Sequence, residues 1–200
     1  MRTVIRSSNG INEVGVEALL RQKRILYLED EITMEKARAF AKQMMYLTQV
    51  DSDAPIVLCI NSLGGDIEAG MMIYDIIQTS PAPVVLCCLG QAYSMAAILL
   101  AAGQHGRYIL PHSQVMIHEP QLLTNNIGGK YSSLQGMTNS LLKKKHEMEV
   151  ILAKHTKKTP EEIAEATKVD HYFSAQEAVD FGLADKIVGF DQIMEMKTLA

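Results

Sequence analysis

Short apolar runs alternate with amphipathic helical patterns along the first 120 residues, and this alternation narrows the fold more than any other feature. "RILYLED" (24–30) reads as a strand, and "TMEKARAFAKQMMYLTQV" (33–50) follows with helical spacing at Ala37, Phe40, Ala41 and Met44. "PIVLCIN" (55–61) is short and wholly apolar, as a strand buried on both faces would be. "IEAGMMIYDIIQT" (67–79) is a second amphipathic helix, and "PVVLCCLG" (83–90) is a third strand. "GRYILP" and "SQVMIHEP" add two short strands. Strands and helices at this spacing build βαβ units around a mostly parallel sheet.

The last third changes character. A long helix is expected from about Ser132 to His155, with apolar positions at Leu134, Met137, Leu141, Met148, Ile151 and Leu152. "TPEE" (159–162) and "SAQE" (174–177) carry capping-box spacing and start two short helices, with Pro160 at the first helical position of one. Two hundred residues without linker, repeat or low-complexity stretch fit a single domain, 1–200.

Composition excludes several classes. A net charge of -4 argues against a general nucleic-acid binder, and the lysines at 143–145 and 157–158 are followed by acidic residues, as on solvated helix faces. Cys59, Cys87 and Cys88 lie in apolar runs without C-x-x-C spacing, which fits buried thiols in a reducing compartment better than disulfides or zinc. No Asp, Glu, Lys or Arg lies between Asp75 and Arg107, but proline, glycine, glutamine and serine interrupt that stretch. It reads as strand, turn and buried helix rather than a membrane span. The first 15 residues hold no apolar stretch of signal-peptide length.

Three segments carry candidate chemistry. Ser94 follows a strand and opens the apolar helix of "LGQAYSMAAILLAAG". A helix N-terminus can stabilise developing negative charge, so Ser94 suits a nucleophile, and serine equally suits a plain N-cap. The G-x-S-x-G elbow is not met, since the residues are Ala92-Tyr93-Ser94-Met95-Ala96. Gly64 and Gly65 at a strand end suit either an oxyanion donor or a tight turn. His118 ends "QVMIH" just before Pro120, where sites gather in parallel sheets, though a lone histidine is also a common structural residue. His105, His112, His146 and His155 read as solvent-facing. A serine nucleophile needs a base and an acid to orient it, and the residues alone leave that acid among 23 Asp and Glu.

From about Arg24 to Gly189 the chain resembles the ClpP family, the ring-forming serine peptidases of the Clp protease. The likeness rests on "INSLGGDIEAGMMIYD", "GQAYSMAAILLAAG", "RYILPHSQVMIHEP" and "DHYFSAQEAVDFGLAD", in the family's order and near its spacing. It implies an α/β fold, the ClpP/crotonase-like spiral of repeated ββα units with a protruding handle helix. Residues 1–20 would form an N-terminal axial segment, and 121–156 the handle region. It implies Ser94 as nucleophile, His118 as general base and Asp170 as orienting acid, with the backbone N–H groups of Gly65 and Met95 as oxyanion hole. It implies a cytoplasmic subunit in sevenfold rings stacked in pairs, with no cofactor or metal of its own. ATP would be used by a Clp-type AAA+ ATPase that delivers unfolded polypeptides; neither nucleic acid nor membrane is an expected partner.

The chain departs from the family pattern at several points. Tyr93 stands where alanine is usual, beside the serine, and is expected to crowd the site or reshape its specificity pocket. Ala96 replaces a glycine, Glu119 a glutamine, and Val169 an arginine that couples rings. Val57 and Cys59 stand where tyrosines line the ATPase docking pocket, and "QLLTNNIGGKY" is longer than the common pattern. These changes suggest a divergent second paralogue working in a mixed ring. Two other readings stay open: a weakly active or inactive scaffold subunit, and a crotonase-like enzyme acting on a coenzyme A thioester.

Overall fold

The computed structural model describes residues 2–7, 10–121 and 130–195. The extra length in "QLLTNNIGGKY" therefore lies mostly outside the described residues. A hairpin comes first: β1 (Arg2–Ser7) pairs antiparallel with β2 (Gly10–Gly15), an element the sequence reading does not find. Then follow α1 (Val16–Gln22), β3 (Ile25–Ile32), α2 (Met34–Val50), β4 (Ile56–Gly65), α3 (Ile67–Thr79), β5 (Val84–Tyr93) and α4 (Met95–Ala101). Two short strands come next, β6 (Arg107–Ile109) and β7 (Gln114–Ile117). The long helix is α5 (Tyr131–Thr156), ahead of α6 (Pro160–Thr167), β8 (His171–Ser174), α7 (Ala175–Phe181), β9 (Lys186–Ile187) and α8 (Phe190–Glu195).

The main sheet runs β3-β4-β5-β6-β9, with β7 pairing with both β5 and β8. All its pairings are parallel except β7 with β8. This mostly parallel sheet with covering helices is the α/β architecture expected, and it explains why β4 reads as one apolar run. Ile56, Leu58 and Ile60 face the larger core with α2, α3 and α4. Val57 and Cys59 point the other way, into a smaller cluster with Ile25, Val85, Cys87, Val188 and Ile193. Successive residues of a strand face opposite sides, so both faces need apolar side chains.

That second cluster corrects one expectation. Val57 and Cys59, which the resemblance puts where side chains line a docking pocket, are 0% and 2% exposed. Ile193 of α8 is buried in the same cluster, with Tyr108 and Leu110 packed against it. Burial pushes the thiols of Cys59 and Cys88 up to about 11, and that of Cys87 up as well, so all three stay protonated.

Helix ends follow local chemistry. Thr33 caps α2 by accepting from the Lys36 N–H at 3.3 Å, and Asp66 caps α3 by accepting from the Ala69 N–H at 2.7 Å. Both capping boxes are present, at Thr159–Glu162 and Ser174–Glu177. Only Met148, Ile151, Leu152, Ala153 and Thr156 of α5 are buried, so its last turns pack on the body and its first half does not. His155 near its end also corrects an expectation. It is half-buried, with Nε2 3.1 Å from the Tyr74 hydroxyl. Burial, with Lys154 and Arg107 nearby, pushes its imidazole down to about 4. No helix among the described residues is long and apolar enough to cross a membrane.

Candidate active site

Strand register brings the candidate residues together. β5 changes partners along its length: Leu86–Cys88 pair with β6, and Gln91–Tyr93 pair with β7. Tyr93 sits opposite Met116, and the next N–H, that of Ser94, donates to the Met116 carbonyl at 2.8 Å. Ser94 thus leaves β5 level with the end of β7, where His118 follows Ile117. β8 runs antiparallel to β7 with Ile117 opposite His171, so one step further sets His118 opposite Asp170. Three residues far apart in sequence meet because three strands end at one place.

The Ser94 hydroxyl shares a 2.8 Å hydrogen bond with His118 Nε2. On the other side of the ring, Asp170 Oδ1 stands 3.5 Å from Nδ1. Gln121 Nε2 stands 3.2 Å from the same nitrogen. Sequence reasoning misses Gln121 entirely; its only signal is a polar side chain just past the proline that ends the histidine strand. The His118 side chain is 16% exposed and that of Asp170 is 52% exposed, so the acid is the looser member.

Ser94 occupies the N-cap position of α4, yet its side chain makes no capping hydrogen bond. The hydroxyl is turned to the imidazole instead. Its backbone has φ 54 and ψ -122, a conformation costly for any residue with a Cβ. A sharp strand-to-helix turn is therefore present without the G-x-S-x-G pattern. Tight packing holds it: all seven residues of α4 are buried. Each buried Leu, Ile or Met side chain contributes roughly 1.5–3 kcal/mol, which stabilises a helix far too short to stand alone.

The two glycines have separate jobs. Gly64 has φ 88, and a Cβ there would stand 2.8 Å from Ser94 Cβ and 3.0 Å from Met95 N. Gly65 has φ 148, and a Cβ there would press on the Ile32 backbone, 2.7 Å from its nitrogen. Gly64 thus lets β4 approach the serine, and Gly65 lets it pass β3. Buried Ser62 braces this path: its hydroxyl donates to the Asp30 carbonyl and accepts the Gly64 N–H at 3.1 Å. Gly65 ends β4 and Met95 begins α4, so the two expected oxyanion donors flank Gly64 and Ser94.

An open cleft of about 740 Å³ runs along these residues. Gly64, Gly65, Ser94 and His118 line it, together with Ile67 of α3, Met116, and Met137 and Leu141 of α5. A 2.5 Å ion pair joins Lys145 of α5 to Glu119, and Lys144 pairs with Glu68 of α3. The Glu119 hydrogen bond holds the Lys145 ammonium above its ordinary pKa. The Glu119 N–H donates to the Thr167 carbonyl at 2.8 Å, which fixes the chain just after His118.

Tyr93 is held by contacts along the sheet. Its hydroxyl donates to Gln114 Oε1 at 2.8 Å, and its ring packs edge-on against Tyr172 at 5.6 Å. It stands beside Met116, which lines the cleft, and ties β5 to β7 and β8. Ala96 is fully buried and Val169 is 71% exposed. Among the described residues, no group of three His, Cys, Asp or Glu is placed to hold a metal.

A hydroxyl on an imidazole, a carboxylate behind the ring and a glycine-opened backbone in a cleft can perform acyl transfer to serine. Comparison with known proteins points the same way. The model of the Clp protease family matches residues 9–191. The chain is 37% identical over 186 residues to the ATP-dependent Clp protease proteolytic subunit 1 of Thermobifida fusca (strain YX), which covers 92% of this chain and 83% of that protein.

Proposed function

The chain belongs to the Clp protease family as a ClpP-type proteolytic subunit, a serine peptidase, and within that chemistry we propose that Ser94 is the nucleophile, His118 the general base and Asp170 the orienting acid. The observation that carries this assignment is the 2.8 Å hydrogen bond between Ser94 Oγ and His118 Nε2. His118 takes the hydroxyl proton as Oγ bonds to the substrate carbonyl carbon. The backbone N–H groups of Gly65 and Met95 stabilise the resulting oxyanion, each worth about 2.7–4 kcal/mol in comparable sites. His118 then gives the proton to the leaving amine as the C–N bond breaks, and water releases the acyl group by the same steps in reverse order.

The test is labelling with a fluorophosphonate probe, which reacts only with an activated serine. Wild type should label, Ser94→Ala should not, and His118→Ala should label far more slowly. An assembled wild type that stays unlabelled would overturn the assignment.

Family members work as oligomeric rings with ATPase partners. For this chain the finer reading is two stacked sevenfold rings enclosing the sites, fed with unfolded polypeptide by a Clp-type AAA+ ATPase in the cytoplasm, with no cofactor of its own. Val169, 71% exposed where the family pattern has a ring-coupling arginine, supports a mixed ring with a paralogue. The chain alone should then assemble or cleave poorly and gain activity when the paralogue is added. Full peptidase activity from the chain alone would count against it. A weakly active subunit is the second reading, favoured by the 3.5 Å gap between Asp170 and His118. A slow but measurable labelling rate would select it.

A further inference from the structure

His118 can activate a serine in only one tautomer. Nε2 must be bare to accept the Ser94 proton, so Nδ1 must carry hydrogen and needs an acceptor facing it. Two side chains reach that nitrogen. Asp170 Oδ1, at 3.5 Å, lies at the far limit of hydrogen bonding. The amide nitrogen of Gln121, at 3.2 Å, is closer.

An amide NH2 can only donate. Presented to Nδ1, it requires that nitrogen to be bare and so places the ring proton on Nε2. In that tautomer the imidazole donates to Ser94 Oγ instead of taking its proton, and the same 2.8 Å bond becomes a resting contact. Geometry favours this competition. Glu119, the residue after His118, is anchored by Thr167 and Lys145, so Gln121 starts from a fixed point one proline later. Gln121 and Asp170 are both exposed, so neither is locked by packing.

We propose that Gln121 is a positioning residue for His118: its amide nitrogen holds the resting tautomer, and turning that amide away hands Nδ1 to Asp170. The inference rests on the peptidase reading above. A net hydrogen bond of this kind is worth about 0.5–1.5 kcal/mol, so its removal should change the active fraction about twofold to tenfold.

Solid-state 15N spectra of ring-labelled histidine, assigned with His118→Gln, report the tautomer directly. Probe labelling of the same samples reports activation. In wild type the Nε2-protonated form should dominate. Gln121→Ala should shift the ring to the Nδ1-protonated form and raise the labelling rate about twofold to tenfold. Peptide KM should stay unchanged, since the change lies in proton placement. Asp170→Ala with Gln121→Glu should label faster than Asp170→Ala alone, because a carboxylate at 121 can accept from Nδ1. An unchanged tautomer in Gln121→Ala would overturn the proposal. So would slower labelling, the result expected if the amide oxygen faces the ring and assists Asp170. A tautomer shift without labelling in any variant would support the Gln121 assignment and sink the peptidase reading. Labelling without a tautomer shift would do the reverse.

Discussion

Ser94 holds a backbone conformation that suits glycine, φ 54 and ψ -122, and this sets its function against stability. Such strain costs about 1–3 kcal/mol, and a glycine gives back about 0.5–1 kcal/mol through the unfolded chain. Ser94→Gly should therefore be more stable than Ser94→Ala by about 1 kcal/mol, or roughly 2–4 °C in Tm, with neither variant labelled by the probe. Equal melting of the two in the same assembly state would show that the surroundings do not hold the turn under strain. His155 gives a second test at this scale. Its imidazole titrates near 4 when folded and near 6.5 when free, so the unfolded chain takes up the proton first. The stability it contributes is complete above pH 6.5 and is lost as pH falls from 6.5 to 4. The half-buried ring is partly screened, so the loss is on the order of 1–2 kcal/mol. His155→Gln, which keeps a polar partner for Tyr74, should flatten the stability curve in that window. Parallel curves for wild type and variant would refute the assignment.

Elements with local chemistry are the ones legible in the sequence. α3 and both capping boxes fall where spacing and cap residues put them, because each is decided within a few neighbouring positions. β8 and β9, of four and two residues, are too short to show any period and exist only through pairing with β7 and β6. The site divides in the same way. Ser94, His118 and the two glycines stand out as unusual residues at strand ends. Asp170 came only from resemblance, since its place opposite His118 is a matter of β7–β8 register. Gln121 stayed hidden because its contact depends on how the chain turns after Pro120. The two caps separate local stability from site geometry. Thr159→Ala and Ser174→Ala should each cost about 1 kcal/mol in chemical denaturation. Ser174 ends β8, the strand that starts beside Asp170, so Ser174→Ala should also lower kcat severalfold at unchanged KM. Thr159→Ala should not. Equal kcat in the two variants would mean that β8 does not position the acid.

At the scale of the whole molecule, α5 is the element a single chain leaves incomplete. Its 26 residues span about 39 Å, and its buried side chains begin only at Met148. Tyr131 is 79% exposed, Leu142 58% and Met137 48%, and this apolar surface fits a subunit that buries more on assembly. In the stacked-ring reading the α5 faces meet about twofold axes, where a residue lies near its own copy and a new charge repels itself. Leu142→Glu should then halve the particle mass measured by light scattering. Lys144 and Lys145 on the same helix reach Glu68 and Glu119, beside the cleft and next to His118. Losing the ring contact should loosen these pairs and slow probe labelling along with assembly. Unchanged mass would remove α5 from the ring contact. A half-mass particle that labels at the full wild-type rate would keep the contact but show that the site does not depend on it. The two readouts together decide whether this helix only joins rings or also carries their assembly state to Ser94.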